Sequence, residues 1–351
     1  MWEGYGVLKQ QKASFRLVLM VALLAIGLLM AACGKQEAKP AAPAAGQKIT
    51  LKFYWTTVDG EKDPYAISAR TFKELVEKKT QGKVDVKLYP NSQLGGERDA
   101  IEGISLGTID MGVITNAPIS GFVPQFQILD LPFIFKDAAQ AYKVLDGEFG
   151  KSLLKRLEAR GIIGLGFSEG GFRHMLNNVR PIKTPDDVKG IKFRVMENPT
   201  YIGMFKALGS NPTPMAWGET FTAVQQKTID GLEIPIPVIY QNKYFEVTKY
   251  LSLTNHTYSP LIFMISKKTW DKLPADVQKA VADSVTEAIP LQRAKNAKNI
   301  EELMKELKTK GMAINPVDSP DAFKEKVKPL YKEFEGKIGK DVMDAFFAAT
   351  K

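Results

Sequence analysis

Gly166-Phe167-Ser168-Glu169-Gly170 has the G-x-S-x-G form of a nucleophile elbow, and Ser168, Asp230 and His256 occur in the chain order of a hydrolase triad. Such an elbow needs a helix that begins immediately after the serine. Gly170-Gly171-Phe172-Arg173-His174-Met175, with Pro181 close behind, is poor helix-forming sequence. The alternative is that these glycines let the chain cross between two domains. Arg173 lies in this glycine-flanked stretch, and Arg194 lies on a predicted strand, in Gly190-Ile191-Lys192-Phe193-Arg194-Val195-Met196. A guanidinium at the end of a buried strand is costly unless an anion meets it, and its planar fork matches a carboxylate through two parallel hydrogen bonds. That carboxylate is either a bound organic anion or one of the 39 Asp and Glu side chains. His174 and His256 are far apart and have no cysteine or carboxylate partners at ligand spacing, so the sequence calls for no metal and no cofactor. His256 itself reads as a turn residue.

The elements that must hold these groups belong to a chain of more than one domain. Its 351 residues exceed what one compact domain needs, and 44% hydrophobic with 25% charged residues is ordinary for a protein with a packed core. The net charge of +9 invites a nucleic-acid partner, but the basic residues of 305–310 and 324–332 alternate with acids and no Arg/Lys stripe runs among aromatics, which argues against one. Lys9, Lys12 and Arg16 precede an uncharged apolar run, Leu17 to Ala32, and Cys33, the only cysteine, follows at once. This reads as a signal peptide over 1–32, and Leu28-Leu29-Met30-Ala31-Ala32-Cys33-Gly34 resembles a bacterial lipoprotein signal in which the cysteine is lipidated. A retained signal anchor is the other reading. Residues 33–48, rich in Ala and Pro, then form a lipid-anchored tether that reaches up to about 45 Å from the membrane. Removing residues 1–32 takes away Lys9, Lys12, Arg16 and Glu3, which lowers the net charge by two, to +7.

From residue 49 the hydrophobic period alternates between two and 3.6. Strands are expected at Ile49–Trp55, Val84–Tyr89, Ile109–Ile114, Gly161–Gly166, Ile191–Val195, Lys249–Thr254 and Leu261–Ser266, with helices at Tyr65–Lys78, Arg98–Leu106, Ala138–Leu145 and Lys151–Arg160. Asn198-Pro199 reads as an N-cap followed by proline at the first helical position, and Met215–Gln226 as an amphipathic segment. Pro274 to Lys310 is helical throughout apart from Pro290, which marks either a kink in one domain-spanning helix or the break between two. The alternation of strand and helix gives an α/β fold with parallel units.

Tyr89-Pro90-Asn91-Ser92-Gln93-Leu94-Gly95, Leu131-Pro132-Phe133, Gly190-Ile191-Lys192-Phe193-Arg194-Val195, Asn211-Pro212-Thr213-Pro214-Met215-Ala216-Trp217 and Ile229-Asp230-Gly231-Leu232-Glu233 resemble, in order, the landmarks of the DctP-type solute-binding proteins of tripartite ATP-independent periplasmic (TRAP) transporters. The resemblance runs over residues 48–340. It implies a periplasmic-binding-protein-like fold of two α/β lobes around a central cleft, with one long kinked helix spanning both: lobe I from 49–170 and 259–298, lobe II from 171–258 and 299–351. It further implies an extracytoplasmic receptor for a small organic anion that partners the small and large membrane subunits of the transporter. A receptor of an ATP-driven transport class follows the same fold logic. Arg194 would clamp the ligand carboxylate, Arg173 matches a frequent second arginine, and Trp217 matches an aromatic of the pocket wall. Glu197 stands where the family often has Asn, Ile234 follows Glu233 where Asn is usual, and Thr56 replaces an Asn of some members, so the resemblance does not name the ligand. Thr115, Trp55 and Tyr54 are expected as wall residues from their places at predicted strand ends.

Overall fold

The computed structural model describes residues 48–351. The signal peptide, Cys33 and almost all of the tether lie outside the described residues. Among the described residues nine strands form one sheet: β1 (Ile49–Tyr54), β2 (Val84–Tyr89), β3 (Met111–Thr115), β4 (Ile162–Asn177), β5 (Phe193–Val195), β6 (Thr213–Pro214), β7 (Gly231–Pro235), β8 (Tyr250–Ser266) and β9 (Ala313–Pro316). Their order is β2-β1-β3-β8-β4-β7-β5-β6, with β9 beside β8. Two parallel triplets, β2-β1-β3 and β7-β5-β6, flank a central antiparallel pair of long strands, β4 and β8. The expected parallel units are therefore present, but the sheet is mixed because β4 and β8 run through both halves.

These two strands correct the sequence reading. Gly161–Gly166 is only the start of β4, and the two segments expected at Lys249–Thr254 and Leu261–Ser266 are one strand, so His256 lies, fully buried, within a strand rather than in a turn. The register of β4 on β8 shifts between Glu169 and Gly171, where Gly171 takes a φ of +105°. That backbone conformation is open to glycine and strained for other residues, so the glycines serve to bend a strand that crosses the molecule. No helix starts after Ser168, and no elbow forms.

Strand alternation divides the core between the two sheet faces: neighbours Phe53 and Tyr54 enter different hydrophobic clusters, the first with Phe72, Phe263 and Val285, the second with Ile101, Phe126 and Tyr258. The chain from 275 onward settles the question at Pro290 in favour of one helix, Ala275–Thr309, 35 residues and about 52 Å long. Pro290 lies on its exposed face, where a carbonyl deprived of its helical donor is open to water. On the buried face Gln292 accepts from the Glu169 N–H at 3.0 Å and donates to the Glu169 carbonyl at 2.7 Å, and Asn296 donates to the Glu169 carboxylate at 3.0 Å. The helix thus supplies the partners that the irregular part of β4 cannot find in the sheet. Asn198 caps the helix Pro199–Ala207 as expected, its side chain accepting from Thr200 and Tyr201 N–H. No helix of the described residues is long and apolar enough to cross a membrane.

Candidate functional site

A narrow recess opens where the two sheet halves meet. From the first half come Thr56 and Thr57 after β1, Tyr65 on the helix Pro64–Lys79, Glu97 at the start of the helix Glu97–Leu106, and Thr115 at the end of β3. From the second come Arg194, Met196, Trp217, Ile234, Pro235 and Val238, and Arg173 lies between on β4. Glu97, Arg194, Met196 and Trp217 also line an outer recess of about 270 Å³ that leads to the surface.

The two arginines are differently committed. Arg173 is buried and donates from Nε to Glu233 Oε2 at 2.5 Å and from an Nη to Oε1 at 2.9 Å, with a further bond to the Glu233 carbonyl. The β4–β7 register explains the meeting: Arg173 stands opposite Pro235 and Met175 opposite Glu233, so Arg173 and Glu233 are diagonal neighbours on one face. Burial alone would raise the Glu233 pKa, but Arg173 and His256 hold it below the ordinary value. Burial likewise lowers the His256 pKa, against the pull of Glu233. A neutral His256 fits its contacts, with Nδ1 2.7 Å from the Thr254 hydroxyl and Nε2 donating to Glu233 at 3.2 Å. For Arg173 the internal salt bridge is thus realised.

Arg194, 2% exposed, donates from Nε and from one Nη to the Met215 carbonyl at 2.9 and 2.7 Å and lies 5.9 Å from the Trp217 ring centroid. It has no ion-pair partner among the described residues, and burial lowers its pKa. Two of its five N–H groups serve Met215, which leaves three directed elsewhere.

Of the other expected site residues, Thr56, Thr115, Ile234 and Trp217 line the inner recess. The Thr56 hydroxyl bonds that of Ser92 at 2.9 Å and the Thr115 hydroxyl that of Ser259 at 3.0 Å. Glu197 is exposed at the rim of the outer recess, 3.9 Å from Arg98. Trp55 is not a wall residue: strand alternation turns it into the core with Phe53 and Phe72, and its neighbour Thr56 faces the recess. Tyr54 is likewise a core residue, whose hydroxyl donates to the Gly95 carbonyl at 3.0 Å and so helps place Glu97. Glu97, Thr57, Tyr65 and Met196 were not anticipated; Gly95-Gly96 before an amphipathic helix was the available signal for Glu97.

The hydrolase triad is not assembled. Ser168 bonds the Ser68 hydroxyl at 3.1 Å, Asp230 accepts from the Lys192 N–H at 2.8 Å, and both ring nitrogens of His256 are engaged by Thr254 and Glu233. No group of three or more His, Cys, Asp or Glu among the described residues is arranged to hold a metal ion.

Residues 56–337 match the profile of the bacterial extracellular solute-binding proteins, family 7 (DctP). A solute-binding protein of Verminephrobacter eiseniae is 40% identical over 307 residues, 87% of this chain and 90% of that protein. The 2,3-diketo-L-gulonate-binding periplasmic protein of Escherichia coli is 37% identical over 298 residues, 85% of this chain and 87% of that protein. Among solved structures, a TRAP periplasmic solute-binding protein of Polaromonas bound to D-erythronate superposes with a TM-score of 0.83 at 39% identity, covering 86% of this chain and 98% of that one.

Proposed function

We propose, from the premise that the chain belongs to the family 7 bacterial extracellular solute-binding proteins, that it is the receptor of a TRAP transporter and that Arg194 anchors the carboxylate of a small organic acid in the inner recess. The observation that carries this reading is a buried guanidinium with three N–H groups unspent and no ion-pair partner among the described residues, beside a cavity. An unpaired buried charge is expensive, and a bound carboxylate removes that expense while forming two charge-assisted bonds. Arg173, already neutralised, shapes the floor of the recess and adds field rather than a second clamp.

The ligand would touch Thr56, Thr115 and Glu97 from one half and Arg194 and Trp217 from the other. Contacts to both halves exist only when these are together, which is the differential affinity a closing motion requires. Lobe I is taken as 49–170 with 259–298 and lobe II as 171–258 with 299–351, the crossing falling at the Gly170-Gly171 bend. Delivery to small and large membrane subunits, and anchoring through lipidated Cys33, complete the proposal; the family name and the residue pattern of 1–33 support them. A thermal-shift screen against organic acids, followed by calorimetry, tests it: monocarboxylates of a few carbons should raise Tm, because ligand bound only to the native state stabilises it. A screen in which amino acids, cations or neutral sugars stabilise the protein and no acid does would overturn it.

A further inference from the structure

The turn that follows β1 has partners on both sides of the recess. Within its own half it is firmly held. The Thr57 hydroxyl donates to Asp63 Oδ1 at 2.8 Å, and the same oxygen caps the helix Pro64–Lys79 by accepting from the Tyr65 and Ala66 N–H at 3.0 and 3.1 Å. Arg70 pairs with Asp59 at 2.8 Å. Thr57 also lines the inner recess, so the turn is continuous with the recess wall.

Across the mouth the turn meets the other half. Gly60 lies against Gln241, at the end of the helix Ile236–Gln241, so closely that a side chain in its place would displace the Gln241 amide. Lys62 donates to Glu306 at 2.9 Å and lies 3.1 Å from Glu302, two acids one turn apart on the last part of the long helix Ala275–Thr309. Tyr240 and Lys62 together hold the Glu306 carboxyl below its ordinary value. This end of the helix belongs with the second half, because it leads into β9, which pairs with β8 at Tyr250–Leu253, where β8 carries the end of β4 that pairs with β7. The start of the helix stays with the first half: Lys83 reaches Asp276 at 2.9 Å and Lys79 reaches Glu287 at 2.7 Å. Lys62 therefore bridges the two halves, whereas Lys79 and Lys83 do not.

Partly exposed ion pairs of this kind contribute little to a fold. Between two parts that separate, such a bridge has a different consequence. It exists only while the parts are together, and its whole worth then enters the closing equilibrium.

We infer that Lys62 is a positioning residue that latches the closed receptor: its ammonium ties the turn after β1 to Glu302 and Glu306 on the far end of the long helix, and so retains a bound acid that it does not touch. This rests on the reading of the two halves as lobes that close on a ligand. A latch acts on departure, since the ligand leaves through an opened cleft, whereas the charge of Lys62 near the mouth acts on the arrival of an anion. The two effects are separable by rate.

Stopped-flow tryptophan fluorescence, with Trp217 in the recess wall, gives both rates for D-erythronate, D-glucuronate and succinate at about 0.15 M salt. Lys62→Met, which removes the charge and keeps an apolar stem, should raise koff about threefold; Lys62→Glu, which sets a third acid beside the other two, should raise it at least about tenfold. The ligand-free Tm should stay within about 2 °C of the parent value in both. Reversing the partners too, in Lys62→Glu with Glu302→Lys and Glu306→Lys, should bring koff back to within about threefold of the parent. A koff that Lys62→Glu leaves unaltered overturns the inference, whatever happens to the arrival rate. An elevated koff that the reversed partners fail to restore overturns it as well. Arg194→Ala tests the parent reading by itself: affinity indifferent to that change sinks the acid clamp, while the koff of Lys62→Glu still decides the latch. If none of the three acids binds, the parent reading falls and the latch falls with it.

Discussion

Arg194→Ala should separate ligand affinity from folding, because this guanidinium is buried yet pairs with no acid. Two of its N–H groups hold the Met215 carbonyl and three remain for a ligand. A carboxylate that accepts two of these makes charge-assisted bonds of about 1.5 to 3 kcal/mol each, so the substitution should cost about 3 to 6 kcal/mol of binding, or roughly 10² to 10⁴ in Kd. Water filling the vacated space recovers part of this, and about tenfold is the smallest loss consistent with the geometry. The unliganded protein should behave differently. Removing an unpaired buried charge relieves its desolvation and leaves only the Met215 carbonyl to rehydrate, so the Tm without ligand should stay level or rise. Calorimetry with the acid identified by thermal shift, beside thermal melts of the free protein, reads both quantities. An affinity within threefold of the unsubstituted protein refutes the clamp. A lost affinity accompanied by a collapsed free-protein Tm refutes the claim that Arg194 is held for the ligand rather than for the fold.

Arg173→Ala should do the reverse and destabilise the free protein by about 3 to 5 kcal/mol, because it strands the buried Glu233; urea unfolding that loses less than about 1 kcal/mol would contradict the ion pair. His174 is buried and its pKa is lowered to about 3 by that burial, with His256 adding to the shift. Between that value and the unfolded value near 6.5 the unfolded chain binds the extra proton, so stability falls on acidification through this window, by about 2 to 3 kcal/mol at pH 4.5. His174→Asn should lose less stability than the parent protein between pH 7 and 4.5 in denaturant titrations, and parallel pH profiles would refute the assignment. Cys33→Ala should release the protein from the membrane fraction of cells that export it, whereas continued membrane retention would favour a signal anchor.

The residues that were legible in the sequence are those whose meaning is local. Asn198-Pro199 announces a helix start through capping chemistry, and the alternation around Phe53 announces a strand, because neighbouring residues decide both. Arg194 stood out for a similar reason, as a charge among apolar strand residues. What could not be read were pairings between distant segments. Whether Arg173 meets a ligand or an internal acid depends on the β4–β7 register, which places Glu233 diagonally across from it, sixty residues away. His256 looked like a turn residue because Asn255 and Thr257 are turn-prone, and Asn255 does take a φ of +45°; a seventeen-residue strand absorbs that irregularity as a bulge-like break in its register. Glu97 escaped notice because an acid in the first turn of a helix has an ordinary explanation in the helix dipole.

The internal pairing of Arg173 also sets the valence of the site. With both arginines free, the empty recess would carry two positive charges in a desolvated cleft and would suit a dianion. With Glu233 holding Arg173, Arg194 is the one arginine of the recess without an ion-pair partner among the described residues, and a single ligand carboxylate pairs with it. Glu233→Gln tests this account, since the amide retains a hydrogen bond to Arg173 and to His256 while removing the negative charge. Arg173 would then be available to a ligand, and succinate should gain on D-erythronate by at least about tenfold, the smallest shift expected when a charge-assisted bond is added for one ligand and not the other. Calorimetry on protein shown by its melting curve to be folded measures that ratio. If it stays where it is in the parent protein, the charge of Arg173 does not reach the ligand, and selection of a monoanion must be explained by shape instead.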